Sequence, residues 1–129
     1  MKIVCVDNHP VILKGLSRSI RQLLPDASIN TFGCAEEAFG FARENGCDVL
    51  ISEIELAGWN GITFAKKMKN LNPKLNIIFL TACDEREYAK ELFEIRPSGY
   101  LVKPAEKEQL EIELNNLRYN TLTVGEEAF

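Results

Sequence analysis

Short apolar runs alternate along this chain with longer stretches whose apolar residues recur every three or four positions, the spacings of buried strands and of helices with one covered face. Ile3 to Asp7 predicts a buried strand. Pro10 to Leu24 predicts a helix, with Val11, Ile12, Gly15, Leu16, Ile20, Leu23 and Leu24 on its stripe, Pro10 in the first turn and Asn8 placed to cap it. Ala27 to Gly33 predicts a second strand, alternating through Ser28-Ile29-Asn30-Thr31-Phe32 as a partly covered strand does. Ala35 to Glu44 predicts a helix closed by Asn45-Gly46. Val49 to Glu53 is a third, wholly apolar strand ending in a carboxylate. Ile62 to Leu71 predicts a helix opened by Asn60-Gly61 and closed by Asn72-Pro73. Leu75 to Thr81, Glu85 to Ile95, Gly99 to Val102 and Ala105 to Tyr119 then predict strand, helix, short strand and last helix. Residues 1–119 thus read as one domain, and residues 120–129 as a tail or a linker toward an output domain.

Five strand–helix units in series predict an α/β fold, a parallel sheet with helices on both faces. Right-handed crossovers leave few topologies, and ligands of such sheets bind beyond the carboxyl ends of the strands. The polar strand ends, Asp7-Asn8, Glu53, Thr81 and Lys103, all fall on that edge. A carboxylate, a hydroxyl and an amine gathered there suit the handling of a phosphate.

Composition narrows the classes. A length of 129 residues suits a single core, and 46% hydrophobic and 26% charged residues are ordinary for a soluble domain. A net charge of −4 argues against this segment itself gripping nucleic acid. No apolar run approaches the ~20 residues that cross a bilayer, and Met1-Lys2-Ile3-Val4-Cys5-Val6 reads as a strand rather than a signal peptide. The four cysteines, Cys5, Cys34, Cys47 and Cys83, show no CxxC spacing, and the single histidine does not complete a zinc site with them. The expectation is reduced thiols in a cytoplasmic protein.

The motifs Val6-Asp7-Asn8-His9-Pro10, Asp48 to Gly61, Leu80-Thr81-Ala82 and Gly99-Tyr100-Leu101-Val102-Lys103-Pro104, in this order and spacing, resemble the receiver domain of bacterial two-component response regulators. The likeness covers about residues 1 to 119. It implies the flavodoxin-like (βα)5 three-layer sandwich with strand order 2-1-3-4-5. It implies that Asp7 and Asn8 occupy the positions of an acidic pair that helps hold Mg²⁺, and a phosphoacceptor at position 53 served by a sensor histidine kinase. Thr81 and Lys103 would bind the phosphoryl group, and Tyr100 would change rotamer with Thr81. It further implies a cis peptide bond before Pro104, an attached output domain, and a homodimer through the fourth helix, fifth strand and fifth helix. The His9-Pro10 pair points toward a DNA-binding, transcriptional output.

Two positions depart from the family pattern: the acceptor aspartate is Glu53, and the second acidic position is Asn8. Mg²⁺ demands near-ideal octahedral oxygen geometry, so a lost carboxylate at Asn8 and a lengthened one at Glu53 predict weakened binding. Glu55 is a candidate replacement ligand. Displacing an acceptor oxygen by ~1 Å costs about 10²-fold in rate, and the same extra methylene carries the carboxylate toward Thr81 and Lys103. The first expectation is therefore a degenerate, phosphorylation-independent receiver in which Glu53 mimics a phosphoryl group or disables the switch. The alternative is a working phospho-receiver that tolerates Glu53. An enzyme on the same edge needs a nucleophile and an acid–base partner. Cys83 lies near the edge, but the only histidine, His9, sits in a helix-start motif, so no enzyme is expected. A flavin module is disfavoured because Asp7 would repel a cofactor phosphate. Plainer roles also stand beside these: Thr81, Asp7 and Asn8 as helix caps, Tyr100 as a half-buried aromatic, and Trp59 as a partly exposed partner contact.

Overall fold

The computed structural model describes residues 1–82 and 88–119. Its elements are β1 (Lys2–Val6), α1 (Pro10–Leu23), β2 (Ser28–Phe32), α2 (Ala35–Asn45), β3 (Val49–Glu53), α3 (Gly61–Leu71), β4 (Asn76–Thr81), α4 (Ala89–Ile95), β5 (Gly99–Val102) and α5 (Lys107–Asn115). The five strands are all parallel, in the order β2-β1-β3-β4-β5. This is the doubly wound sandwich expected from the alternation.

The period of two along each strand builds two cores. Val4, Val6, Leu50, Ile77 and Phe79 face α2, α3 and α4, and pack with Phe64, Ala65 and Met68. Ile3, Cys5, Val49, Ile51, Ile78 and Leu80 face α1 and α5, and pack with Leu16, Ile20 and Leu110. Side chains as fully buried as Phe64 and Phe79 each contribute about 1.5–3 kcal/mol of transfer free energy. Burial also pushes the Cys5 thiol up to about 12, with the neighbouring Cys47 adding to the rise. Cys5, Cys34 and Cys47 are free thiols, while Cys83 lies outside the described residues.

Several boundaries differ from the sequence expectations. The buried stripe of α1 is Leu13, Leu16, Ser17 and Ile20, and Val11 is 82% exposed, because a 100° step carries position 11 off the face that Leu13 and Leu16 define. The cap residue of α1 is His9, not Asn8, and Asn8 is exposed. The helix itself starts at Pro10, as expected, and the His9 N–H is bound by the Asp7 carboxylate. The last helix is shorter than the expected span from Ala105 to Tyr119. It starts after the Glu106 cap and stops at Asn115, since the chain beyond is drawn onto the amino end of the sheet, where Asn76 Oδ1 accepts the Tyr119 N–H at 2.8 Å. Of the expected fourth helix, residues 85–87 lie outside the described residues, as does the tail at 120–129.

Two glycines answer to local geometry. Gly46 closes α2 at φ +83°, a conformation costly for any residue with a Cβ. Gly61 opens α3 hard against the end of β3. A Cβ there would lie 2.1 Å from the Glu53 carbonyl oxygen, while its N–H donates to the Ile54 carbonyl at 2.7 Å.

Candidate functional site at the carboxyl edge of the sheet

Asp7 leaves β1 fully buried, and its N–H donates to the Phe32 carbonyl at 3.2 Å, tying it to the tip of β2. Its Oδ1 accepts the His9 N–H at 2.9 Å and lies 2.9 Å from His9 Nδ1. Glu53, 4% exposed, ends β3. The extra methylene lets its carboxylate fold back on its own loop, so that Oε1 accepts the N–H groups of Ile54 at 2.9 Å and Glu55 at 3.1 Å. Its Oε2 forms an ion pair with Lys103 Nζ. The same ammonium sits 2.7 Å from Asp7 Oδ2. Lys103 leaves β5 with its backbone N–H on the Thr81 carbonyl at 2.9 Å, which joins the tips of β4 and β5. The Lys103–Pro104 bond is cis, as expected.

Three charges from three strand tips therefore meet in a nearly dry setting. Desolvation alone would lower the Lys103 pKa. Hydrogen bonds and charge from Asp7 and Glu53 together outweigh it and hold the ammonium above its ordinary value of 10.5. Buried charges of this kind persist only when paired and hydrogen-bonded, and each of the four carboxylate oxygens here has a donor or a cation against it.

The other candidate residues are placed less uniformly. Thr81 is fully buried at the tip of β4. Tyr100 is half-buried on β5 and stacks on Phe79 with ring centroids 6.4 Å apart. Asn8 is exposed. Glu55 is exposed too, and its Oε1 accepts the Tyr88 hydroxyl at 3.3 Å. Among the described residues, no group of three or more His, Cys, Asp or Glu side chains is arranged to hold a metal ion. Trp59 is partly exposed, as expected. An open cleft of about 470 Å³ lies beside Lys103, lined also by His9, Pro10, Val11, Ile12 and Ala82. Two residues near the site carry no signal in the sequence. Glu36 accepts the Trp59 N–H at 3.0 Å across 23 positions, and Tyr88 reaches Glu55 across 33; only the tertiary fold makes these pairs.

Comparison with known proteins decides the family. The response regulator receiver domain matches residues 3–115. The chain belongs to the response regulator receiver family. It is 24% identical over 110 residues to the response regulator GacA of Pseudomonas aeruginosa, covering 85% of this chain and 51% of that protein. It is 28% identical over 111 residues to the sensory transduction protein LytT of Bacillus subtilis, covering 86% and 45%. The chemotaxis protein CheY4 of Vibrio cholerae superposes with a TM-score of 0.80 at 25% identity, over 88% of this chain and 95% of that one. This receiver domain spans about half the length of the curated relatives it matches. Receivers as a family work in two-component systems with histidine kinases and output domains, and generally bind Mg²⁺ at the acceptor site. Among the described residues no helix is long and apolar enough to cross a membrane.

Proposed function

We propose that this receiver is degenerate: it regulates an attached output domain without taking a phosphoryl group, and Glu53 stands in place of the phosphorylated residue. One observation carries the reading, the pairing of Glu53 Oε2 with Lys103 Nζ. An anionic oxygen from position 53 reaches the lysine that a phosphoryl group would engage. The mimicry is partial, because a carboxylate carries one negative charge against nearly two for a phosphoryl group. The expected consequence is a shifted population rather than a fully switched state.

The donor set does not fit Mg²⁺ as it stands. Asp7 Oδ2 and Glu53 Oε2 face the Lys103 ammonium, while Asp7 Oδ1 and Glu53 Oε1 hold N–H groups. An entering dication would have to displace an ammonium and break backbone hydrogen bonds without a second carboxylate at Asn8. Weak Mg²⁺ binding follows, and with it loss of the charge neutralisation on which in-line phosphoryl transfer depends. The role is regulatory and not enzymatic. The full protein is read as a cytoplasmic regulator with a DNA-binding output domain. The exposed Phe93 on α4, Val102 on β5 and Ile112 on α5 support a homodimer through that face.

The test is intact mass after incubation with a small-molecule phosphodonor and Mg²⁺, on the native chain and on Glu53→Asp. No phosphate-sized gain on the native chain, with a gain on Glu53→Asp, is expected. A gain on the native chain would make it a working phospho-receiver. No gain on either would mean that Asn8 or another change has also closed the site.

A further inference from the structure

We propose that Glu36 on α2 and Trp59 form a clamp that positions the loop between β3 and α3, and through that loop the carboxylate of Glu53. The proposal takes from the preceding section only that Glu53 is the regulatory carboxylate.

The loop, residues 54–60, is held at three places. At its start the Ile54 and Glu55 N–H groups bind Glu53 Oε1. At its base the Gly61 N–H closes on the Ile54 carbonyl at 2.7 Å. At its tip Glu36 Oε1 accepts the Trp59 N–H at 3.0 Å. The Glu36 carboxylate also lies over the Gly58 backbone: a Cβ at position 58 would be 2.8 Å from Oε1, and Gly58 has φ +74°. Glycine suits this left-handed backbone and lets the Glu36 carboxylate approach without having to shift. The Trp59 indole meets Phe39 edge-on, with centroids 5.6 Å apart at 75°. Phe39 stands three residues after Glu36, on the same face of α2. Lys67 of α3 places its ammonium 4.8 Å from the indole centroid. Two helices thus grip the tip of a short loop whose first two amides orient Glu53. The hydrogen bond from Trp59 holds the Glu36 carboxyl below its usual range, as expected when the ionised form is the one bonded.

The tip contact and the first two amides belong to one seven-residue loop closed at its base by the Gly61 to Ile54 hydrogen bond. Loss of the Glu36 contact should therefore loosen the grip on Glu53 Oε1. Glu36 is a positioning residue and touches neither Glu53 nor Lys103 in any contact described above.

The test is backbone amide exchange by NMR on the native chain, Glu36→Ala and Glu36→Gln, with acrylamide quenching of Trp59, the only tryptophan in the sequence. Glu36 is exposed, so far-UV circular dichroism should be unchanged. Glu36→Ala is expected to speed exchange at Trp59, and at Ile54 and Glu55, by about fivefold, the factor for one net hydrogen bond. It should also raise quenching. Glu36→Gln keeps an acceptor oxygen in place and should recover most of the protection. Faster exchange at Trp59 with Ile54 and Glu55 unchanged would reduce the contact to a surface bond and overturn the proposal. No change at any of the three would overturn it as well. Neither readout uses a phosphodonor or Mg²⁺, so the outcome is independent of whether Glu53 blocks phosphorylation.

Discussion

Strand β4 begins at Asn76 and ends at Thr81, both fully buried, and the two edges of the sheet that it joins solve the burial of polar groups differently. At the amino edge the solution is neutral. Asn76 Nδ2 donates to the carbonyls of Asp48 at 3.3 Å and Tyr119 at 3.0 Å, and Oδ1 accepts from Ser98 Oγ at 3.1 Å and Tyr119 N at 2.8 Å. One amide satisfies both its donor and acceptor capacity and pins the chain just past α5. At the carboxyl edge the solution is ionic: one ammonium is shared by two carboxylates. A neutral amide loses about a hydrogen bond's worth when its partner goes. A buried ion left without its partner loses far more. The fold therefore keeps its amino-edge anchor neutral and gathers its buried charges at the carboxyl edge.

The sharpest way to break this comparison is Lys103→Met. It removes the ammonium between Asp7 and Glu53 and leaves two buried carboxylates facing each other. Loss of about 3–5 kcal/mol is expected, read by urea denaturation at neutral pH. Adding Asp7→Asn and Glu53→Gln to that variant should recover much of the loss. A loss under 1 kcal/mol in the single variant would mean that the carboxylates find water easily and the site is not dry.

A smaller effect is expected at the opposite edge. Asn76→Ala strips the Tyr119 and Ser98 partners and should cost about 1–3 kcal/mol, with faster amide exchange at Tyr119. Equal costs at the two edges would erase the distinction between neutral and ionic burial.

The smallest effect is one of pH. The folded pKa of Lys103 lies above its ordinary 10.5. Its contribution is therefore complete below that value and is lost as pH rises through the higher folded value. The difference in denaturation midpoint between the native chain and Lys103→Met should stay level from neutral pH to about pH 10 and narrow above it. A difference that narrows before pH 9 would assign the pairing energy to another group.

Sequence and structure agree where a single chemical rule dominates. The run Val49 to Ile51, followed by Ser52 and the terminal Glu53, is β3 to the residue, and Gly99 to Val102 is β5, because a largely apolar strand ended by a charge or a turn has little alternative placement. Asn60 caps α3 through its side chain on the Thr63 N–H at 2.8 Å, as Asn at a helix start predicts. They differ where several groups compete for one position. Asn8 had the chemistry to cap α1, but a cap side chain bonds the second or third helical N–H, and from position 8 the second is Pro10, which has none; the cap residue is His9 and Asn8 stays exposed. Ala105 and Arg118-Tyr119 suited a helix, but tertiary hydrogen bonds claimed the chain end. Asn76, a polar residue opening the run Ile77-Ile78-Phe79-Leu80, was the visible trace of a buried anchor, though its partners lie up to 43 positions away.

What the sequence determined by itself is the order of strands and helices and the edge on which Asp7, Glu53, Thr81 and Lys103 gather, since hydrophobic period and crossover handedness depend on local pattern alone. What only the tertiary structure decided is how those residues pair: that Lys103 divides itself between Asp7 and Glu53, that Glu53 turns one oxygen onto its own loop, and that Glu36 holds that loop from α2. The Lys103 pairs and the Glu36 contact depend on distances of a few ångströms between groups 23 to 96 positions apart, and Glu53 can face both its own loop and Lys103 only because the fold brings Lys103 to its other oxygen. Chain neighbours bind one oxygen of each carboxylate, but the ammonium that balances their desolvation is brought by the packed fold.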